Sequence, residues 1–417
     1  MSLFSRMLRL FCCRAPLQPR VFPSTGFIQI PQDEKFEEER LKDYDATRYY
    51  PVRIGEVFAN RYQVVGKLGF GYFSTVWLAR DLQKHRHVTL KVLICSHTLG
   101  DSVNTELAMY ERVQQRRSRH PGRNNVRSLL DSFTVTGPEG EHLCLVHRPL
   151  GRSVADILHQ HRSPGFQTNF LRSLLKDLLL AVDYLHTECQ IIHTDISTTN
   201  ILYNVYDHSV FSDFEEEEIR NPCRRKEVDG RVIYASRGFR YSSKVGNAVL
   251  CDFGVSVFGD EEHYGVVQPT FYRSPEVTLD ASWDYKIDLW NIGCVIWSLY
   301  ERRDLFRGLD PEHQEYRSRA QLAEIIAVLG PPPKNLLARG RLTSEFFSSE
   351  GQFIAGIDIP ASTSLEAMEI NLEGNEKKRF LKFMGKMLQW DPAQRGTARE
   401  LFKDPWLQEW EDKDEDK

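Results

Sequence analysis

No apolar run in the sequence is long enough to span a bilayer, so no membrane partner is expected. Cysteine is sparse: eight residues are scattered over 417 positions, only Cys12 and Cys13 are adjacent, and no C-x-x-C pair occurs. That pattern speaks against a structural zinc site or a disulfide framework, and for a reduced compartment. Neither sign of charge prevails, since 54 Lys and Arg against 58 Asp and Glu leave a formal net charge of −4. No global field draws the chain to nucleic acid, and no direct nucleic-acid partner is expected. Acidic side chains are missing before Asp33. Arg6, Arg9, Arg14 and Arg20 stand there among Leu3, Phe4, Met7, Leu8, Leu10 and Phe11. This is the composition of a mitochondrial transit peptide, with a basic arm as the alternative.

At 41% hydrophobic residues the chain can bury one large core or two smaller ones. Residues 1–55 read as a basic arm and a charged lead-in. Residues 56–150 read as a small, mostly β unit with one helix over Val103–Gln115. From Gly151, the natural hinge, the pattern turns helical: Val154–His161, Phe170–His186, Lys286–Tyr300, Arg319–Leu329, Lys377–Leu388 and Ala398–Phe402. This second unit runs over 151–410. Within it, Asn204–Asn247 reads as an insertion, and its run Glu215-Glu216-Glu217-Glu218 as solvated chain. An acidic tail, 411–417, closes the sequence.

The chain is organised around Ile191-Ile192-His193-Thr194-Asp195-Ile196-Ser197-Thr198-Thr199-Asn200-Ile201-Leu202, which reads H-x-D-x-x-x-x-N between two apolar pairs. A carboxylate and an amide on one rigid loop suit phosphoryl transfer. Asp195 can take the proton of a substrate hydroxyl and Asn200 can hold a divalent metal. A polar surface turn is the bland alternative.

Other stretches point the same way. Leu68-Gly69-Phe70-Gly71-Tyr72-Phe73-Ser74-Thr75-Val76 lies between two strands. Glycines there let a hairpin tip approach a phosphate chain whose charge backbone N–H groups solvate. Lys91 sits mid-strand between apolar neighbours and needs phosphate oxygens and a carboxylate as partners; Glu106 on the following helix is the candidate. A Lys snorkelling from an edge strand is the alternative. Two aspartates compete as the second metal ligand. Asp252 is preferred to Asp213, because Ala248-Val249-Leu250-Cys251 gives it a buried strand lead and Gly254 frees the turn. Glu276 is expected to pair with Arg395, and the carboxylate of Asp288 to hold the backbone of the central loop.

Five motifs in this order resemble a eukaryotic protein kinase over roughly residues 56–410. More narrowly, Tyr50-Pro51-Val52-Arg53-Ile54-Gly55, the glycine hairpin with its Ser74, His193-Thr194-Asp195-Ile196 and Tyr272-Arg273-Ser274-Pro275-Glu276-Val277 are similar to a serine/arginine-rich protein-specific kinase of the CMGC group, of fungal type. The resemblance implies an α+β, bilobal protein kinase fold with a small β-rich N-lobe and a larger helical C-lobe. It implies ATP and Mg²⁺, with Asp195 as base, Lys91 braced by Glu106 on the phosphates, and Asn200 and Asp252 on the metal. Adenine would use the Arg148 carbonyl and the Leu150 N–H. The implied activity is transfer of the γ-phosphate to Ser/Thr of a protein substrate, Arg/Ser-rich tracts included, in regulation of mRNA splicing. A monomer in cytoplasm and nucleus is expected, or in the mitochondrion if the first residues are a transit peptide.

Thr194 stands where most kinases carry the Arg that would need a phosphorylated activation loop, so activity without that phosphorylation is expected. Three departures qualify the resemblance. Ser197 stands where these kinases carry a Lys on the γ-phosphate, which brings in a weak enzyme or a nucleotide-binding pseudokinase scaffold as the alternative. Arg317-Ser318-Arg319 is positive where the family docks Arg-rich substrates on acidic residues, and is expected to repel such a tract. His147 takes the usually apolar or Thr gate position. A small-molecule kinase is a third reading, opposed by the peptide-seating loop before Glu276.

Overall fold

The computed structural model describes residues 15–95, 102–160, 168–240 and 246–408. The arginines before residue 15 and the acidic tail lie outside the described residues. The chain forms two compact units. The smaller comprises Met1–Gly100, Leu130–Pro149 and Asp207–Tyr241, the larger Asp101–Leu129, Leu150–Tyr206 and Ser242–Lys417. Two segments therefore lie elsewhere than sequence order suggests. The helix Ser102–Gln115 belongs to the larger unit, and most of the 204–247 insertion belongs to the smaller.

The smaller unit is built on a six-stranded sheet of β1 (Val57–Phe58), β2 (Tyr62–Gly71), β3 (Ser74–Asp81), β4 (Arg86–Leu93), β5 (Leu129–Gly137) and β6 (Gly140–His147), in the order β1-β2-β3-β4-β6-β5. Alternate residues Val64, Trp77, Ala79, Val88, Leu90, Cys144 and Val146 bury one face together with Cys223 and Tyr234 from the insertion.

The insertion is not solvated chain. Its helix Ser209–Arg220 buries Phe211, Phe214, Glu215 and Glu218, spaced three and four residues apart as one helical face. Phe214 packs so close to β2 that a Cβ on Gly66 would come within 2.8 Å of its ring. The buried glutamates are not solvent-seeking because basic side chains meet them. Glu215 receives Arg20 at 2.8 Å and Arg80 at 3.4 Å, with His87 Nε2 also 2.8 Å away, and Glu218 receives Arg225 at 3.1 Å and Arg237 at 3.2 Å. A hairpin, Arg225–Val228 with Arg231–Tyr234, completes the insertion.

The described part of the N-terminal segment is likewise not a loose arm. Leu17 N–H donates to Leu82 O, Ile30 N–H to Arg225 O, and Arg20 N–H to Gln63 Oε1. Residues 15–50 thus form a strap laid over sheet and insertion.

In the larger unit the helix Lys286–Glu301 is buried at every position after Lys286, as its nearly all-apolar circumference requires. The helix Thr168–Tyr184 buries Leu171, Leu174, Leu175, Leu178 and Leu179 beside it. Two short antiparallel ladders matter most for function. Ile191–Ile192 pairs with Val257–Phe258, and Ile201–Tyr203 pairs with Ala248–Leu250. They clamp the ends of the 193–200 loop against those of the 251–256 loop. No helix among the described residues is long and apolar enough to cross a membrane.

Candidate active site

The loop carrying Asp195 is held from below by Asp288, buried near the start of Lys286–Glu301. Its two carboxylate oxygens accept the N–H groups of His193 at 2.8 Å and Thr194 at 2.9 Å, and His186 Nε2 lies 2.9 Å from one of them. The N–H of Thr194 can be reached because its backbone is left-handed, φ +65°. For a β-branched residue that is a strained conformation, held here by its surroundings. Its hydroxyl donates to Val255 O at 2.8 Å, linking the two loops directly.

Above this support the functional side chains converge. Asn200 Nδ2 donates to Asp195 Oδ2 at 2.7 Å and to the Asp195 carbonyl at 2.9 Å. The amide nitrogen is therefore spent within the loop, and Oδ1 is the atom Asn200 has for a ligand. Asp252, also left-handed at φ +70°, accepts the Gly254 N–H at 3.1 Å. A Cβ on Gly254 would lie 3.2 Å from Asp252 Oδ1 and 3.7 Å from Glu106 Oε2, so Glu106 and Asp252 flank the same glycine. Phe253 between them is fully buried, edge-on to Tyr110 and tilted against His193. Burial raises the Asp195 carboxyl above the ordinary carboxylate range, and the neighbouring Asp252 charge adds to this. The field of His193 and the Asn200 hydrogen bond oppose it.

Asp195 opens onto a cleft of about 570 Å³ lined by Thr194, Val255, Val257, Val267 and Pro269 among others. Among the described residues lining it, Asp195 alone carries a charge.

The larger unit thus brings together Glu106, Asp195, Asn200 and Asp252. Asp213, the rejected alternative, is exposed in the smaller unit. Lys91 lies in the smaller unit. It faces Val76 on β3 and Leu145 on β6, so β4 is an interior strand and the edge-strand alternative is excluded. In the glycine hairpin Gly71 pairs with Ser74, leaving Tyr72 and Phe73 as the tip. Ideal Cβ positions on Gly69 and Gly71 meet nothing within 4 Å. Arg148 follows β6, and Leu150 packs with Val249, Cys251 and Leu202 in the larger unit. His147 ends β6 fully buried, opposite Thr89.

The positive stretch is corrected. Arg319 is gripped by Asp310 at 2.5 and 3.1 Å and by Glu312, and Arg317 pairs with Glu315 at 2.8 Å. The acidic partners of Arg319 lie seven and nine residues upstream, beyond the stretch 317–319 itself.

Gln268 opens the stretch 268–276 that leads to Glu276, but the sequence gives it no role of its own; its amide bridges Ile287 O at 2.9 Å and Ser274 N–H at 2.8 Å. Sequence reasoning passed over Tyr49, which reaches the hairpin tip and which no local signal marks.

A family model described as protein kinase domain matches residues 62–407. A serine/threonine protein kinase of Aspergillus fumigatus is 40% identical over 410 residues, covering 98% of this chain and 99% of that protein. The serine/threonine-protein kinase SRPK of Physarum polycephalum is 29% identical over 392 residues, 89% of this chain and 91% of its own. A crystal structure of a kinase domain covers 87% of this chain and all of its own, with a TM-score of 0.67; at 23% identity it speaks for the fold alone. The chain belongs to the protein kinase domain family and is a serine/threonine protein kinase of the SRPK-like type.

Proposed function

We propose that this kinase transfers the γ-phosphate of ATP to Ser/Thr hydroxyls of protein substrates, with Asp195 as the base and Asn200 and Asp252 as ligands of Mg²⁺. The observation that carries the reading is the joint placement of Asp195, Asn200, Asp252 and Glu106 on two loops clamped by short ladders. The donor set fits the metal: hard carboxylate and amide oxygens suit Mg²⁺, and with its nitrogen on Asp195 the Asn200 side chain has an oxygen to offer. When bound, the ion supplies charge neutralisation for the phosphates. The protein's own work is positional. Asp195 receives the substrate hydroxyl proton on a carboxylate oriented by Asn200, in a cleft with no other charged side chain among its described lining residues. Lys91, on an interior strand, is the phosphate cation, with Glu106 as its carboxylate. Arg148 and Leu150 supply the adenine-facing carbonyl and N–H, and the hairpin 68–76 covers the phosphates. Open space over Gly69 and Gly71 supports that last role.

Arg/Ser-rich proteins, and with them splicing regulation, are the proposed substrates and setting. SRPK-named relatives support this. So does local charge: over residues 310–319, Asp310, Glu312 and Glu315 against Arg317 and Arg319 leave one net negative charge, so this stretch is not the positive patch its arginines alone suggest. Cytoplasm and nucleus are the proposed compartments, with the mitochondrion as the alternative if the first residues are a transit peptide.

The test is transfer from labelled ATP with Mg²⁺ to an Arg/Ser-repeat peptide and to an acidic peptide, beside Asp195→Ala. Strong transfer to the first is expected. Transfer no greater than the Asp195→Ala control on either peptide sinks the reading.

A further inference from the structure

The tip of the hairpin 68–76 does not hang free. Tyr49, only 5% exposed, points its hydroxyl at two successive carbonyls of the tip, Gly71 O at 3.2 Å and Tyr72 O at 3.0 Å. A trans peptide is planar, with C=O and N–H on opposite sides. Tying down the carbonyls of Gly71 and Tyr72 therefore turns the N–H groups of Tyr72 and Phe73 away from Tyr49. Those are tip N–H groups of the kind a phosphate chain requires. The far side of the tip is tied as well, because Ile94 N–H donates to Phe73 O at 2.9 Å.

Tyr49 is itself held. Its ring tilts against Tyr44 at 5.3 Å, its own N–H donates to Ala46 O, and Cys95 N–H donates to Arg48 O at 2.8 Å. Upstream, the turn Glu37–Arg40 is fastened on both sides. The wholly buried Lys67 ammonium of β2 binds Glu38 and lies 3.6 Å from Glu37. From the insertion, Ser236 donates N–H and hydroxyl to Glu37, while Lys226 meets Glu39 at 2.7 Å and Glu34 O at 2.7 Å. The insertion thus grips the strap, and the strap grips the hairpin. A buried, uncharged phenol is the donor this needs, and burial pushes the Tyr49 hydroxyl up to about 12.

We propose that Tyr49 is a positioning residue for nucleotide binding, presetting the amide direction of the hairpin tip, and that the 204–247 insertion serves as the anchor of the strap that carries it. The inference rests on reading 68–76 as the phosphate hairpin.

The test uses the full chain. Tyr49→Phe keeps the ring and removes the hydroxyl. For one lost hydrogen bond, the Kd and KM for ATP·Mg²⁺ are expected to rise about threefold to tenfold. Turnover at saturating ATP and the KM for peptide stay at wild-type values, while the melting temperature falls by no more than the few degrees that one lost hydrogen bond costs. Glu37→Gln with Ser236→Ala loosens the anchor; it should weaken ATP in the same way and add little on top of Tyr49→Phe. Wild-type ATP affinity in Tyr49→Phe overturns the proposal. So does a fall in melting temperature with both KM values and turnover moving together, which marks a merely structural tyrosine. Should Tyr49→Phe fold poorly, amide exchange at Tyr72 and Phe73 in the anchor variant decides: exchange no faster than wild type also overturns it. If the wild-type protein binds no ATP, the reading of the hairpin itself falls, an outcome distinct from equal binding by the two proteins.

Discussion

Glu276 and Arg395 meet in two parallel hydrogen bonds of 2.6 and 2.7 Å, with both side chains wholly buried. Arg395 also donates to Gln389 O and Lys286 O and lies over the Trp290 ring, so the pair knots the loop before Glu276 to the buried helix. Removing one partner strands the other's charge in the core, which costs about 3–5 kcal/mol. Glu276→Leu alone should lower the unfolding free energy of the larger unit by that amount, read from the shift in its denaturant midpoint. Glu276→Leu with Arg395→Met should recover most of it. A single variant as stable as wild type would show that the pair is not the fastening it appears in geometry.

Asp195 is oriented by Asn200 at 2.7 Å, and general-base assistance contributes about 10²–10⁴-fold in rate. Asp195→Asn preserves shape and removes the base. Turnover should fall by about that factor with ATP affinity unchanged, as measured by steady-state kinetics beside nucleotide titration. An equal loss of ATP affinity would place Asp195 in binding rather than in proton transfer.

Ser197 holds its hydroxyl 2.8 Å from that of Thr199, so this position of the loop offers no cation. If a missing positive charge limits transfer, Ser197→Lys should raise turnover, by up to about 10²-fold given what one preorganised donor supplies. Single-turnover measurements read this directly, and an unchanged or lower rate rejects the account.

The catalytic loop was legible because its chemistry is local. Asp195 and Asn200 are five residues apart, and the apolar pairs around them become the ladders that clamp the loop. Asp252 was separable from Asp213 by its strand lead and by Gly254 after it. What stayed hidden was made of partners far apart in the chain. Glu215 reads as solvated until Arg20, 195 residues away, is placed beside it. Arg319 reads as a bare cation until Asp310 folds back onto it. A hydrophobic pattern shows which face is buried, but not which cation will come to neutralise a glutamate on that face.

Thr194 takes the place where a phosphate-dependent kinase carries Arg, and neutral contacts hold its surroundings instead. Its hydroxyl binds Val255 O, Gln268 bridges Ser274 and Ile287, and His263 stacks on Trp283 with ring centroids 4.7 Å apart. Enzymatic removal of phosphate should therefore leave peptide phosphorylation within about twofold of the untreated enzyme, since no new charge-assisted contact is needed to order the loop. Loss of activity on dephosphorylation, confirmed by mass spectrometry, would show the loop to be phosphate-ordered after all.

His142 gives the smaller unit an acid limit. Its ring is buried, edge-on to Tyr50 at 5.5 Å, with Nδ1–H donating to Leu93 O at 2.9 Å. Burial lowers its pKa below the ordinary 6.5; the Leu93 carbonyl opposes this and the Arg231 charge adds to it. With the folded value below the unfolded one, the contribution to stability is complete above about pH 6.5 and is lost as pH falls through the folded value. Thermal melts should therefore show the smaller unit weakening between pH 7 and pH 5. His142→Asn, which keeps a donor for Leu93 O but does not titrate, should flatten that slope. An identical slope in the variant would assign the acid sensitivity to another group.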